Sequence, residues 1–172
     1  MTNVIGAAVR SAGAYLTAHP DEARYRDSHA RARLGDGLRV AVDGTGGERL
    51  ETDMPRGIGG GASTASPGWY FRAAAAACVA SLIGIRAAEQ GMELPAGSVE
   101  VVVDSESDDR GILGLDPSIA AGALSVKVVA RVAAPGIDRQ TISALVRWAV
   151  EHCPVTDTIS RSVGVDVVMA WL

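Results

Sequence analysis

The sequence lacks both the excess of basic residues typical of nucleic-acid binding and an apolar run long enough to cross a membrane. Its 172 residues carry 16 Lys and Arg against 20 Asp and Glu, a net charge of −4. Phosphate recognition uses a concentrated basic surface, which this composition lacks. The strongly apolar run from Ala73 to Ile85 is bounded by Arg72 and Arg86 and is too short for a membrane helix, which needs about 20 residues. We therefore expect no nucleic-acid partner and no membrane segment.

Cysteine and histidine are also scarce, with two and three residues respectively. The sequence contains no cluster at metal-ligand spacing, no Cys-x-x-Cys, no Walker loop and no Gly-x-Ser-x-Gly elbow. A chain of this length buries roughly 70% of its unfolded surface, so it needs neither metal nor disulfides to fold. Because the N-terminus lacks the pattern of a secretory signal, we expect a cytoplasmic protein whose cysteines are reduced thiols.

The first 29 residues resemble an appended helical arm. Their apolar residues recur at intervals of one, three and four until Pro20 interrupts the pattern. Three short strands separated by glycine turns follow and predict a β-meander. We assign residues 1–29 to the arm and 30–172 to the main domain. The three predicted strands are Ala30–Leu34, Leu38–Asp43 and Arg49–Asp53.

A long helix dominates the middle of the chain, from about Gly68 to Gln90, with Gly91 as its C-terminal cap. Its centre is apolar on every side, which is typical of a helix enclosed by other elements. After it the pattern predicts two strands, an amphipathic helix capped by Asp138, a new helix at Pro154 and a closing strand. The three predicted strands of this half are Val99–Ser105, Leu124–Val132 and Ser162–Met169.

The two thiols are the candidates for chemistry. Taken alone, Cys78 is more simply explained as a small apolar side chain in a packed helix, because free cysteine is often buried. Cys153 precedes Pro154 at a helix start, where backbone N–H groups favour the thiolate. The adjacent His152 points in another direction, so we interpret it as a cation at a helix end rather than as a catalytic base.

Two segments resemble the OsmC/Ohr family of organic-hydroperoxide-reducing proteins. The first is the glycine loop Gly59-Gly60-Gly61, followed by Pro67, an aromatic helix start and Cys78. The second is Ala134-Pro135-Gly136-Ile137-Asp138, then a helix, then Cys153-Pro154-Val155. Asp109-Arg110-Gly111 is also similar to the family. The order and spacing of these motifs support the resemblance from about Ala30 to the C-terminus.

The resemblance implies an α+β fold of curved antiparallel sheets around long central helices, built as an intertwined homodimer. It implies that Cys78 is the peroxidatic thiol, which becomes a sulfenic acid, and that Cys153 then closes a disulfide with it. The substrate would be a small hydrophobic peroxide. An external dithiol protein, such as one carrying a lipoyl group, would reduce the disulfide, and no metal or other cofactor is required.

Burial raises a thiol pKa, so this chemistry needs a cation near Cys78. The family supplies an arginine, for which Arg56 is the best match and Arg39 the weaker one. The family's glutamate after the proline is replaced by Gly68, which would leave that arginine less well positioned. Weak activity, or a non-catalytic binding or redox-sensing role, is therefore the alternative. A third interpretation is a structural pair of thiols too far apart to form a disulfide.

Overall fold

A computed structural model describes the backbone of residues 2–171 and the side chains of residues 4–171. The chain divides into two compact units. One contains residues 75–103 and the chain from residue 127 onward, with the first residues of the N-terminal helix; the other contains residues 7–74 and 104–126. The mixture of helices and antiparallel strands is the α+β organisation that the family resemblance implied.

The chain begins with helix α1, Thr2–Ala18, which ends just before a short 3-10 turn at Pro20–Ala23. The helix and its end before Pro20 are as the apolar spacing predicted. Its apolar side chains are largely solvent-exposed, Val4 at 73% and Tyr15 at 50%. The boundary between an arm of residues 1–29 and a main domain stays a prediction, and Met1 and Leu172 lie outside the described residues.

The predicted meander is present in the second unit. Strands β1 (Ala30–Leu34), β2 (Val40–Gly44) and β3 (Arg49–Thr52) form an antiparallel sheet in the order β1-β2-β3. Leu34 pairs with Val40 across the first hairpin, and Val40 pairs with Thr52 on its other side. The strands lie within two residues of the predicted positions because glycine turns mark their ends.

Helix α2, Pro67–Glu89, ends at Gly91, whose positive φ of 72° suits the C-cap glycine that the sequence predicted. By length and composition alone α2 could cross a membrane. Four of its five buried residues, Ala75, Val79, Ile83 and Ala87, instead recur every fourth position on one face, and Ala88 follows the last of them, so α2 is a core helix.

The prediction that α2 is enclosed on every side is wrong for this single chain. On the face opposite its buried residues, Ala74, Ala77 and Ser81 are exposed. The sequence could not distinguish a second apolar face covered by the same chain from one left open, because both have the same composition.

Strands β4 (Val99–Glu106) and β5 (Ser125–Val132) form a second sheet, and the short helix α3 (Asp109–Ile112) lies in their connection. The N–H of Leu124 donates to the Glu106 carbonyl, and the N–H of Ala133 donates to that of Ser98. The residue numbers rise on one strand as they fall on the other, so the strands run antiparallel.

Helices α4 (Arg139–Glu151) and α5 (Pro154–Ser160) complete the first unit. The carboxylate of Asp138 accepts hydrogen bonds from the N–H groups of Gln140 and Thr141, as expected of an N-cap. The core joins α2 to α4, β4 and β5. Each fully buried large aliphatic side chain contributes about 1.5–3 kcal/mol to it. Its buried members are Val79, Ile83, Ala87, Leu145, Ala149 and Cys153.

The predicted closing strand, Ser162–Met169, is absent. Residues 162–171 have no regular secondary structure, and Val165 and Val167 are 85% and 82% exposed. The alternating valines have the correct pattern for a strand, but a strand forms only where a neighbour supplies hydrogen-bond partners. In this chain no such neighbour lies beside residues 162–171 among the described residues.

Candidate functional site

The two cysteines come together in the first unit, from elements far apart in sequence. Cys78 lies midway along α2, and Cys153 is the one-residue connection between His152, which caps α4, and Pro154, which begins α5. Proline suits the first helical position because its missing N–H would have no helical partner there. Cys153 is completely buried in the core, whereas Cys78 is partly exposed and packs against that core. Only Cys78 is therefore open to a ligand in this chain.

The two thiols interact directly and influence each other's ionisation. Burial raises the pKa of the Cys78 thiol, and its hydrogen bond to the Cys153 sulfur raises it further. Burial also opposes ionisation of Cys153, but the hydrogen bonds from Cys78, Thr156 and the Val155 N–H outweigh it and lower the pKa of Cys153. The interpretation of two distant structural thiols is therefore wrong.

Thr156 ties the Cys153 turn to both neighbouring helices, a role that the sequence analysis did not identify. Its hydroxyl lies 2.5 Å from the Val150 carbonyl oxygen of α4 and 3.2 Å from that of Cys153. The Asp157 N–H donates to the same Cys153 carbonyl at 2.9 Å. A threonine three residues after a capping cysteine is the only sequence signal for it, and that signal is common at helix starts.

The two candidate arginines belong to the second unit. Arg56 begins a short 3-10 turn, is exposed, and places its Nε 3.5 Å from the Gly61 carbonyl oxygen. Arg39 precedes β2 and forms an ion pair of 2.7 Å with Glu51 on the neighbouring strand β3, which raises the pKa of Arg39. The choice between them as the cation for Cys78 stays a prediction.

A buried carboxylate that the sequence analysis overlooked organises the glycine loop. Asp53 is 2% exposed and accepts hydrogen bonds from the backbone of Met54, Gly61 and Ser63 and from the Ser63 hydroxyl, at 2.8 to 3.2 Å. The bonds from Ser63 are the main cause of a pKa of about 2 for Asp53. A Cβ at Gly60 would lie 1.8 Å from the Met54 carbonyl oxygen, so this tight loop requires glycine there.

Gly68, which replaces the glutamate of the family pattern, lies near the guanidinium of Arg72. A Cβ built at Gly68 would lie 3.8 Å from Nη1 of Arg72, one helical turn later. In this chain the same Nη1 donates to the Ser105 hydroxyl at 3.1 Å. A larger side chain would therefore fit at position 68, and a carboxylate there would lie near the Arg72 guanidinium.

Among residues 4–171, no group of three or more His, Cys, Asp or Glu side chains is arranged to hold a metal ion. His152 caps the end of α4, the position that the sequence predicted for it. The chemistry that this site offers is that of a partly exposed thiol, Cys78, beside a buried thiol, Cys153, whose pKa is lowered.

Comparison with known proteins gives consistent matches. A family model described as OsmC-like protein matches residues 59–168. An organic hydroperoxide resistance protein of Xanthomonas axonopodis pv. citri (strain 306) is 30% identical over 155 residues, which cover 89% of this chain and 99% of that protein.

Solved structures show the same similarity. The crystal structure of an organic hydroperoxide resistance protein OsmC from Legionella pneumophila is 26% identical with a TM-score of 0.62, over 79% of this chain and 90% of that one. The OsmC-like protein of Mycoplasma pneumoniae has a TM-score of 0.66 at 12% identity, over 80% of this chain and 89% of its own, and this likeness concerns the fold alone.

Proposed function

This chain belongs to the OsmC-like protein family, as its motifs predicted, and on that premise we propose that it is a thiol-dependent peroxidase that reduces organic hydroperoxides to alcohols. The observation that carries the proposal is the proximity of the two thiols: Cys78 packs against the core that contains Cys153, and each thiol shifts the pKa of the other. Two neighbouring thiols are placed to close a disulfide once one of them is oxidised. The relatives named organic hydroperoxide resistance proteins support the substrate class.

In the first step the Cys78 thiolate attacks the distal oxygen of the peroxide. A sulfur–oxygen bond forms, the O–O bond breaks, and the alkoxide leaves as an alcohol after taking up a proton. Sulfur is oxidised to sulfenic acid and the peroxide is reduced. Cys78 fits this role because it is the partly exposed member of the pair, whereas Cys153 is out of reach of solvent.

In the second step the Cys153 thiolate attacks the sulfenic sulfur of Cys78. A disulfide forms and hydroxide leaves as water after protonation. The lowered pKa of Cys153 supports this role, because the thiolate is the attacking form. An external dithiol, such as a protein-bound lipoyl group, then reduces the disulfide and is itself oxidised. A cytoplasmic location, where such dithiols stay reduced, fits this cycle.

The raised pKa of Cys78 makes a nearby cation necessary for the first step. Arg56 is our first candidate. Its guanidinium has only the long contact to Gly61 among the described residues, so its charge remains available for a thiolate. Arg39 is the second candidate. Its ion pair with Glu51 can hold its guanidinium in place, a role that the family's glutamate, replaced here by Gly68, would otherwise have.

The surroundings of Cys78 favour apolar peroxides. The core against which Cys78 packs is largely aliphatic, and Leu82 and Val155 pack against the same core. An alkyl chain gains about 0.8 kcal/mol for each CH₂ group that it buries, an advantage that hydrogen peroxide does not have. We therefore propose small hydrophobic organic hydroperoxides as substrates.

We further propose that the chain acts as an intertwined homodimer. Two apolar surfaces of the single chain support this. One is the exposed face of α2 with Ala74, Ala77 and Ser81, and the other is the segment 162–171 with its exposed valines. Small residues permit close helix packing, and an alternating apolar segment gains hydrogen bonds when it joins a sheet edge.

The second candidate is a redox sensor whose disulfide forms once and changes its shape without turnover. Gly68 favours it, because the carboxylate that would fix an arginine is missing and a displacement of about 1 Å can cost roughly 100-fold in rate. A redox sensor would form the same Cys78–Cys153 disulfide as the peroxidase but would not turn over repeatedly.

Steady-state reduction of cumene hydroperoxide with dihydrolipoamide separates the candidates. If the protein is a peroxidase, each wild-type chain turns over many times. Cys78→Ser should abolish turnover, and the Cys153→Ser variant should stop after forming one sulfenic acid per chain. One disulfide per chain without turnover would identify the sensor. Turnover that is indifferent to Cys78→Ser would exclude a Cys78 peroxidase.

A second experiment identifies the arginine that stabilises the Cys78 thiolate. It measures the rate at which iodoacetamide alkylates Cys78 as a function of pH, in a Cys153→Ser background. Removing the relevant guanidinium by Arg56→Ala or Arg39→Ala should move the profile to higher pH, because the thiolate loses its cation. Arg31→Ala, at an exposed position of β1, is the matched control. A shift with neither variant would remove both candidates.

A further inference from the structure

A stack of three side chains lies immediately before Cys153. The guanidinium of Arg86 on α2 sits 4.7 Å from the centroid of the Trp148 ring on α4. The His152 ring stacks on Trp148 with centroids 4.2 Å apart and planes 15° from parallel. Arg86 is also held by an ion pair with Glu89. The stack therefore links α2, which carries Cys78, to the last residue before Cys153.

His152 is fixed by its backbone as well as by its ring. Its N–H donates to the Trp148 carbonyl at 3.0 Å, and its Nδ1 lies 2.8 Å from the same oxygen. A carbonyl oxygen only accepts, so Nδ1 is the protonated donor. Trp148 in turn packs against the core that contains Cys153. His152, the residue that precedes Cys153, is thus held by a stacked ring, one side-chain hydrogen bond and one backbone hydrogen bond.

We propose that Arg86, Trp148 and His152 position Cys153 for closure of the disulfide with Cys78. They are positioning residues that act through the backbone of the turn, since the ring of His152 faces Trp148. Aromatic and cation–π stacking each contribute specific geometry as well as burial. The proposal rests on the proposed function only in requiring that the Cys78–Cys153 disulfide forms.

The direct measure of this positioning is the exchange of the dithiol protein with oxidised glutathione. Each oxidised glutathione takes two electrons from the two thiols, which become one disulfide, and is reduced to two molecules of glutathione. A well-positioned Cys153 has a high effective concentration at Cys78, and this concentration sets the equilibrium constant of the exchange. General loss of stability does not by itself change that constant while the protein remains folded.

His152→Ala removes the stacked ring and should lower the equilibrium constant about tenfold, equivalent to about 30 mV for this two-electron couple. His152→Phe keeps a stacking ring and should recover most of that loss. Trp148→Leu removes the centre of the stack and should have an effect at least as large. Because His152 is exposed, its variants carry the test if Trp148→Leu fails to fold.

The chain supplies a matched control in α1. His19 stacks on Tyr15 with centroids 4.3 Å apart, and its Nδ1 lies 2.9 Å from the Tyr15 carbonyl oxygen, the same arrangement four residues apart in sequence. His19→Ala removes an equivalent stack that is not followed by a cysteine. It should leave the glutathione equilibrium unchanged.

An unchanged constant in His152→Ala, or an equal effect in His19→Ala, would overturn the positioning role. The peroxide reaction separates this failure from failure of the proposed function. Sulfenic acid formation, trapped with dimedone, should keep its wild-type rate in His152→Ala while disulfide closure slows. If the wild type forms the disulfide with glutathione but never reacts with peroxide, the peroxidase is lost and the positioning role stands.

Discussion

Gly68 leaves the second position of a 23-residue helix without a side chain. Gly68→Glu should raise the free energy of unfolding by about 1 kcal/mol, because glycine is a poor helix residue and a carboxylate near a helix N-terminus is favourable. Nothing obstructs the new side chain, and Arg72 lies one turn away to pair with it. Thermal unfolding should show a rise of roughly 2–4 °C.

Gly68→Glu also tests whether the absence of a carboxylate at position 68 limits activity. If it does, Gly68→Glu should increase hydroperoxide turnover, whereas the uncharged Gly68→Gln should gain stability alone. Equal turnover in both variants and the wild type would show that the replacement at Gly68 does not weaken the enzyme. The sensor interpretation would then lose the observation that favours it.

Asp53 makes stability depend on acid pH. Its folded pKa of about 2 lies below the ordinary 3.8, so its contribution is complete above about pH 4 and is lost as the pH falls towards 2. Asp53→Asn should lower the melting temperature by several degrees at neutral pH, since an amide nitrogen would face N–H donors of the loop. The variant should also lose part of the wild-type acid dependence.

Melting temperatures between pH 2 and pH 7 test this expectation, with the exposed Asp27→Asn as control. If Asp53→Asn retained the full acid dependence of the wild type, the hydrogen bonds of this carboxylate would not be its source. The sequence did not reveal Asp53, because an aspartate at a strand end is usually solvated. Its burial depends on a loop that folds back ten residues later to Ser63.

At the scale of elements, the junction between α4 and α5 contributes to the lowered pKa of Cys153, after the larger influences of burial and Cys78. Thr156→Val keeps the shape of the side chain but removes its hydroxyl, which bonds the Val150 carbonyl. The variant should lose about 1–2 kcal/mol of stability. It should also raise the pKa of Cys153, because the Thr156 hydroxyl is one of the groups that lower that pKa.

Ultraviolet absorbance of the thiolate against pH, in a Cys78→Ser background, measures that pKa on a single thiol. The matched control is Thr158→Val, whose hydroxyl bonds the Pro154 carbonyl at 2.7 Å on the exposed side of α5. An equal shift in both variants would mean that Thr156 has no specific influence on the sulfur.

The elements themselves were largely predictable from local signals. Gly91 and Asp138 mark helix ends through backbone hydrogen bonds that involve only neighbouring residues, so their positions follow from the sequence. The strand predicted at Ser162–Met169 depended on a partner that local pattern cannot supply. The contact between Cys78 and Cys153, 75 positions apart, is likewise tertiary, and only the family resemblance indicated it.

At the scale of the whole molecule, the single chain leaves apolar surface that a globular protein ordinarily covers. Val165, Val168 and Trp171 are 85 to 91% exposed in the segment that follows α5. The helix α2 has the composition of an enclosed helix but buries one face. Large apolar patches mark interaction surfaces, and a second copy of this chain would explain both the composition of α2 and the unpaired strand pattern.

Ala74→Glu tests the dimer because Ala74 lies on the exposed face of α2. In a single chain a glutamate there should cost little, since surface substitutions usually stay within about 0.5 kcal/mol. Across a close helix pair the same carboxylates would be buried and should convert the dimer to a monomer in analytical ultracentrifugation. Ala144→Glu, at an exposed position of α4, is the control and should leave the dimer intact. A wild-type chain that sediments as a monomer would contradict the homodimer, and a dimer that survives Ala74→Glu would place its interface away from this face.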